Sequence, residues 1–274
     1  MKLEKHVLIN SDIKITDVLA EETGLAKPKI KQAMNKGAVW LASGHNTRRV
    51  RRAGKTAKTG ETIHLYYDED ILEQEPKPAL LVSDQGDYSV WYKPYGMFCQ
   101  GSKWGDHCTI NRWVEANHQP KKPAFIVHRL DRAATGLMIL AHNKKTAAYF
   151  SGLFQTRNIE KSYQALVYGD FPEKQVFESD IDQKSAYTEA ERIKYDEYSN
   201  RSLLNVNIKT GRKHQIRRHL SEAGFPIIGD RLYGSNSSNE LDNLSLRSCF
   251  ISFLCPKERN IEQFFLPDDL QLRF

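Results

Sequence analysis

The 274-residue sequence predicts an α+β protein in two parts, on three observations. Strand-like and helix-like stretches alternate without a regular βαβ rhythm, which argues against a doubly wound parallel sheet. The basic residues are concentrated near the N-terminus: ten Lys or Arg and no Asp or Glu occur between Lys27 and Lys58. The chain as a whole is +6, so that +10 segment leaves −4 for everything else. An acidic, proline-interrupted stretch then separates this part from the remainder. The expected division is residues 1–70 as a small basic module, 71–78 as a linker and 79–274 as the main domain.

Taken in order, ITDVLAEETG places Ile15, Val18 and Leu19 on one helical face, and Gly24 ends the helix. A second helix is predicted from Pro28, which suits a first helical turn, with Ile30, Ala33 and Met34 inward and Lys29 and Lys31 outward. Val39–Leu41 reads as a short strand, Arg48 to Arg52 as a basic loop, and ETIHLYY as a strand alternating Ile63, Leu65 and Tyr67 with polar positions. Asp68, Glu69, Asp70, Glu73, Glu75, Pro76 and Pro78 make the linker.

Beyond it, LLVSDQGDYSVWYKP predicts a hairpin turning at Asp84–Asp87, and Asn143–Phe154 an amphipathic helix. KSYQALVYG, AYTEAERIKY and SLLNVNIKT are strand-like, and GRKHQIRRHLSEAG predicts a helix ending near Gly224 and Pro226.

The composition, 40% hydrophobic and 27% charged, is that of a soluble globular protein, and no apolar run approaches 18 residues. The opening MKLEKHVLIN has too short an apolar run for a secretory signal. Cys99, Cys108, Cys249 and Cys255 are few and lack the paired spacing of a zinc ribbon, so they are expected to be reduced thiols in a cytoplasmic protein. His128, His142, His214 and His219 show no H-E-x-x-H pattern, so no metal site is expected.

Chemistry concentrates around VHRLDRAATGLMIL. Asp131 lies between Arg129 and Arg132, with apolar residues beyond them, and could be either a structural ion pair or a reacting carboxylate. HRLD also looks like a scrambled kinase catalytic loop. The kinase pattern needs Asn five residues after its Asp, where this chain has Gly136, and no D-F-G follows. Three further turns could supply one pocket with Asp131. YKPYGM presents Lys93 and Tyr95, Lys161-Ser162-Tyr163 aims a phenol, and TGRKHQIRRHL is a cationic turn entering a helix.

These segments carry a specific resemblance. HRLDRAATGL is similar to the H-R-L-D-x-x-T-S-G-L motif of RluA-type pseudouridine synthases. YKPYGM resembles that family's K-P-x-G segment, EKSYQALVYG its K-x-Y-x-A-x-V strand, TGRKHQIRRHL its G-R-T-H-Q-I-R-x-H-L helix, and PIIGDRLYG the segment that follows. The matches run in order from about Asp87 to Gly234. The N-terminal part separately resembles a small α/β RNA-binding module found on a ribosomal small-subunit protein and on RNA-modifying enzymes.

The resemblance implies a mixed, largely antiparallel sheet and an enzyme isomerising uridine in structured RNA, ribosomal or transfer. It implies Asp131 as the attacking carboxylate, Tyr163 packed on the uracil and helping to remove the C5 proton, and Arg217 as the ion-pair partner of Asp131. A bidentate arginine would hold that carboxylate charged. Arg129 would fill space left by the extruded base, with His128, Lys93, Tyr95, Thr135 and Ile216 lining the substrate site. RNA contacts are expected from Lys29, Lys31, Arg48, Arg49, Arg51 and Arg52. The reaction is redox-neutral, so no cofactor is expected; the chain is expected to act as a monomer away from membranes. The motif departs at Ala134-Thr135, where the family has Thr-Ser, and at Lys213, where it has Thr. An RNA-binding or ribosome-assembly protein on the same fold, without catalysis, is the alternative.

Overall fold

The computed structural model describes residues 1–234, 243–258 and 260–274, and the chain divides into two compact units. The first comprises Met1–Pro76 with Gln100–Trp113, and the second Lys77–Cys99 with Val114–Phe274.

The first unit holds β1 (Lys2–Leu8), β2 (Ile13–Lys14), α1 (Ile15–Thr23), α2 (Lys27–Asn35), β3 (Val39–Ser43), β4 (Asn46–Arg49), β5 (Thr56–Ala57), β6 (Thr62–Asp68) and α3 (Glu69–Leu72). A four-stranded sheet runs in the order β1-β6-β3-β4, and β2 pairs with β5. The periodic apolar positions meet in one core of Ile15, Leu19, Ile30, Met34, Leu41, Ile63 and Leu65. Gly24, at φ 69°, ends α1 as the sequence predicts.

Two features differ from the sequence reading. The acidic stretch begins as a helical turn: Asp68 caps α3 by accepting from the Ile71 N–H, and Leu72 is buried in the core. Residues 100–113, expected in the main domain, pack with the first unit. Trp40 Nε1 donates to the Lys103 carbonyl at 3.0 Å, and the Asp106 N–H donates to the Lys36 carbonyl at 3.0 Å. Asp106, a buried carboxylate, receives both Arg49 and Arg51, so the attraction that recruits this segment comes from the basic stretch itself.

The second unit holds β7 (Leu80–Asp84), β8 (Tyr88–Lys93), the end of α4 (Ile110–Asn117), β9 (Phe125–Ile126), β10 (Thr135–Ala141), α5 (Lys144–Thr156), β11 (Ile159–Tyr168), β12 (Lys174–Phe177), β13 (Thr188–Asp196), β14 (Arg201–Ile208), α6 (Gln215–Glu222), β15 (Leu246–Leu254) and β16 (Ile261–Phe265). Ten strands form one sheet in the order β12-β13-β14-β11-β15-β10-β8-β7, with β16 on β15 and β9 on β10. Among the described residues only the β10–β15 pairing is parallel, so the sheet is mixed and largely antiparallel. Every residue of β10 is buried, which explains why TGLMILA shows no polar alternation. Leu137, Ile139, Phe150, Ile251 and Phe253 share its core. Asn143 caps α5 by accepting from the Thr146 N–H at 2.9 Å.

The last predicted helix is shorter than GRKHQIRRHLSEAG suggested. Gln215 Oε1 accepts from Thr210 Oγ1 and from the Arg212 N–H, closing residues 210–214 into a turn before α6. No helix among the described residues is long and apolar enough to cross a membrane.

Candidate active site

The parallel β10–β15 pairing positions the site. Gly136 on β10 and Tyr163 on β11 both register with Ser248 of β15, so Gly136, five residues after Asp131, and Tyr163 lie two strand spacings apart, about 10 Å. Gly136 has φ +109°, and a Cβ there would fall 2.2 Å from the Ser248 carbonyl oxygen. Only glycine allows that approach, which accounts for the residue following Thr135.

The Asp131 loop is braced from the 93–99 turn. Lys93 is 0% exposed, and its ammonium donates to the carbonyls of Pro94 (3.1 Å), Met97 (2.9 Å) and Arg132 (3.3 Å). The Gly96 N–H also donates to the Arg132 carbonyl at 2.9 Å, and the Leu130 N–H to Cys99 Sγ at 3.3 Å. Burial pushes the Lys93 ammonium down to about 8, partly offset by the charges of Cys99 and Asp131. The sequence reading places Lys93 in the substrate lining; in the structure its ammonium is spent on three carbonyls and holds the loop that carries Asp131.

Arg217, on α6, supplies the central charge and is 4% exposed. Its fork engages Asp230, with Nε to Oδ2 and Nη2 to Oδ1 both 2.7 Å, while Nη1 reaches Asp131 Oδ2 at 3.3 Å. The bidentate partner expected for Asp131 is thus spent on another carboxylate. Asp230 also accepts the Leu232 and Tyr233 N–H groups at 3.0 and 3.1 Å. Burial alone would raise the Asp230 carboxyl, but the Arg217 hydrogen bonds and charge and these two N–H groups hold it below the usual range. Burial likewise works against the Arg217 cation, and Asp230 and then Asp131 outweigh it. Asp131 is left with one arginine nitrogen and 26% of its side chain open to solvent.

His214 is a second neighbour. It sits at φ 56° just before α6, with Nε2 3.8 Å from Asp131 Oδ1 and Nδ1 3.0 Å from the Tyr233 hydroxyl. Burial lowers its pKa, with Asp131 opposing and Arg217 reinforcing the shift. Tyr163 is buried, and burial followed by the charge of Asp131 raises its phenol. A phenol so disposed stays protonated, which suits packing against a base and counts against the expected proton removal.

The other expected substrate contacts divide. Arg129 is exposed and Tyr95 half-buried. Ile216 is buried. The Thr135 hydroxyl is buried without a hydrogen-bond partner, and Ala134 beside it is also buried. His128 stacks on Phe154 with ring centroids 4.5 Å apart, and its Nε2 accepts the Ile139 N–H at 2.9 Å. Burial, then the charge of Lys161, pushes it down to about 3, so it is a neutral brace of the strand edge. His219 is likewise internal, 2.9 Å from Thr188 Oγ1.

In the first unit, Lys31, Arg48 and Arg52 are exposed, and Lys29 is exposed but paired with Glu69 at 2.8 Å. Arg49 is bound to Asp106 and the Gly37 carbonyl, and its guanidinium lies 4.2 Å from the Trp40 ring centroid. Arg51 is bound to Asp106 and, at 2.9 Å, to the Asn35 carbonyl. These two carry structural contacts where RNA contacts were expected. Sequence reasoning missed Asp230 and the nearness of His214. A buried arginine has five donors, and that number was the available sign that one carboxylate would not suffice.

Comparison with known proteins bears on this geometry. Residues 87–222 match the family model described as RNA pseudouridylate synthase. An uncharacterized RNA pseudouridine synthase of Aquifex aeolicus is 30% identical over 235 residues, covering 77% of this chain and 73% of that protein. One of Chloroflexus aurantiacus is 34% identical over 164 residues, 54% of this chain, and the match spans about half (51%) of the relative's length. The dual-specificity RNA pseudouridine synthase RluA of Vibrio parahaemolyticus is 30% identical over 164 residues, covering 53% of this chain and 66% of its own. The solved structure of human RNA pseudouridylate synthase domain containing 1 superposes with a TM-score of 0.61 at 21% identity, over 71% of this chain and 86% of that one, a likeness of fold.

Proposed function

Because the chain belongs to the RNA pseudouridylate synthase family, we propose that it isomerises uridine to pseudouridine in structured RNA, with Asp131 as the reacting carboxylate. One observation carries the assignment of Asp131: it is a partly exposed carboxylate with a buried cation behind it, 3.3 Å away, whose stronger bonds go elsewhere. A carboxylate so placed is oriented but keeps an oxygen available for the sugar carbon or a sugar proton.

The isomerisation breaks N1–C1′, turns the uracil and forms C5–C1′; the C5 proton leaves and N1 gains one, with no net redox change. Tyr163 packs against the base as a neutral phenol, and Asp131, freed once N1–C1′ has been exchanged for C5–C1′, is the carboxylate at hand for the C5 proton. The target base must leave its stack, at a cost of roughly a few kcal/mol, which cationic contacts to the backbone offset. Exposed Arg129 beside the loop is suited to the vacated space.

The basic first unit supports ribosomal RNA ahead of transfer RNA as the substrate, through Lys31, Arg48 and Arg52. The protein acts as a cytoplasmic monomer. Pseudouridine mapping in RNA from cells with and without this protein tests the reading: specific sites should disappear from one ribosomal RNA. An unchanged map in both ribosomal and transfer RNA would favour the non-catalytic alternative.

A further inference from the structure

We infer that Asp84, His118 and His142 form a structural binding site for one divalent ion of the Zn²⁺ class. The three residues come from separate elements of the second unit: Asp84 ends β7, His118 follows α4 and His142 follows β10. One ligand atom from each lies within 4.8 Å of the others. Tetrahedral bonds of about 2.0–2.2 Å require ligand atoms roughly 3.3–3.6 Å apart, so a small contraction closes the set. His118 Nε2 and Asp84 Oδ2 already stand at 3.3 Å.

Two independent features point to a ligand. His118 is 3% exposed, and neither ring nitrogen has a hydrogen-bond partner. It packs edge-on against Trp91 and His142, with centroids 5.7 and 5.4 Å away, and Asp84 Oδ2 stands beside its Nε2. Buried imidazole nitrogens are ordinarily paired. The second feature is the setting of His142. Its Nδ1 is 2.8 Å from the Pro123 carbonyl, a contact that only the protonated nitrogen can make, so Nε2 is an acceptor; its lone pair takes the Ser89 hydroxyl at 2.8 Å, which an incoming ion would displace. A carbonyl on the distal nitrogen is the arrangement that holds metal-ligating histidines.

Two imidazoles and one carboxylate suit Zn²⁺, Ni²⁺ or Co²⁺ and disfavour Ca²⁺ and Mg²⁺, which require mostly oxygen. Asp84 Oδ1 accepts the Gly86 N–H at 2.9 Å, leaving Oδ2 toward the histidines. Lys122 Nζ stands 3.0 Å from both carboxylate oxygens and 3.3 Å from the Gly86 carbonyl, so it competes with the ion for the same charge. The ion ties the β7–β8 hairpin to the far end of β10. That end is about 20 Å along the strand from the residues following Asp131, so the ion takes no part in the isomerisation.

The test is calorimetric titration of chelator-treated full-length protein with Zn²⁺, repeated with Co²⁺ to read its visible absorption. One ion per chain at micromolar affinity is expected, with a Tm that rises with Zn²⁺ concentration. Asp84→Asn, which keeps the carbonyl oxygen for Gly86, should weaken binding about 100-fold with an unchanged circular-dichroism spectrum, and His118→Gln with His142→Gln should abolish it. Lys122→Met should tighten it about tenfold. No stoichiometric binding at about 100 μM Zn²⁺, or equal binding by wild type and the double histidine variant, overturns the proposal; the second result would assign the ion to the free thiols.

Discussion

Two arginine–aspartate clusters, one in each unit, solve opposite charge problems. In the second unit one arginine serves two carboxylates: Arg217 gives its fork to Asp230 and a single nitrogen to Asp131. In the first unit two arginines serve one carboxylate, Arg49 and Arg51 both reaching Asp106. The first arrangement carries a formal excess of negative charge on a side chain 26% open to solvent, and the second an excess of positive charge. The difference separates two uses of an ion pair. Where the carboxylate is in excess, one acid is held and under-satisfied, which is a condition for reaction. Where the cation is in excess, the two arginines fasten residues 100–113 to the basic stretch.

The largest effect that would break the comparison is at Asp131. Asp131→Asn should leave RNA affinity unchanged and lower single-turnover rate by about 10⁴ or more, or about 5.5 kcal/mol of barrier. Asp230→Asn should instead act on the fold, because it strands a buried guanidinium; a loss of about 3–5 kcal/mol in urea unfolding is expected. Asp106→Asn, whose partners are half-buried, should cost less. Equal losses would remove the distinction drawn between the two clusters.

A pH test sharpens the account of the loop. His128, pushed down to about 3 in the fold, binds a proton more readily once unfolded, near its ordinary 6.5. Between those values the unfolded chain holds more protons, so stability falls as pH falls below about 6.5, by roughly 1 kcal/mol per unit. His128→Gln, which can still accept the Ile139 N–H, should flatten that slope in urea titrations at pH 7, 6 and 5. The smallest effect belongs to the surface. Arg48→Ala with Arg52→Ala should reduce the salt slope of RNA binding by about 2 without altering stability, whereas Arg49→Ala and Arg51→Ala should destabilise the first unit. A reversed pattern would move the RNA contact to the paired arginines.

Much of this was legible in the sequence, for particular reasons. The helices at Ile15 and Lys27, the strands around Ile63 and Leu204 and the α+β class follow from periodicity and stop signals, which are local. The Asp131, Tyr163 and Arg217 segments were legible because motif residues carry their order with them. What escaped was set by distant partners. Lys93 sits in a turn that reads as surface, but three carbonyls from two segments draw its ammonium inward. Asp106 lies 55 residues from Arg51, and Asp230 lies 13 from Arg217, separations that leave no periodic trace. Gln215 shortens its own helix by closing the preceding turn, a choice that propensity does not register. The acidic stretch after Tyr67 read as linker because its charges dominate, although Leu72 within it is core.

The most direct test of the central claim is release of tritium from C5-labelled uridine in RNA from the protein's own cells, by wild type and by Asp131→Asn. Wild type should release tritium at defined sites and turn over repeatedly, and Asp131→Asn should bind the same RNA and release none. Release by both at similar rates, or by neither from any RNA, would contradict the assignment of Asp131 as the reacting carboxylate.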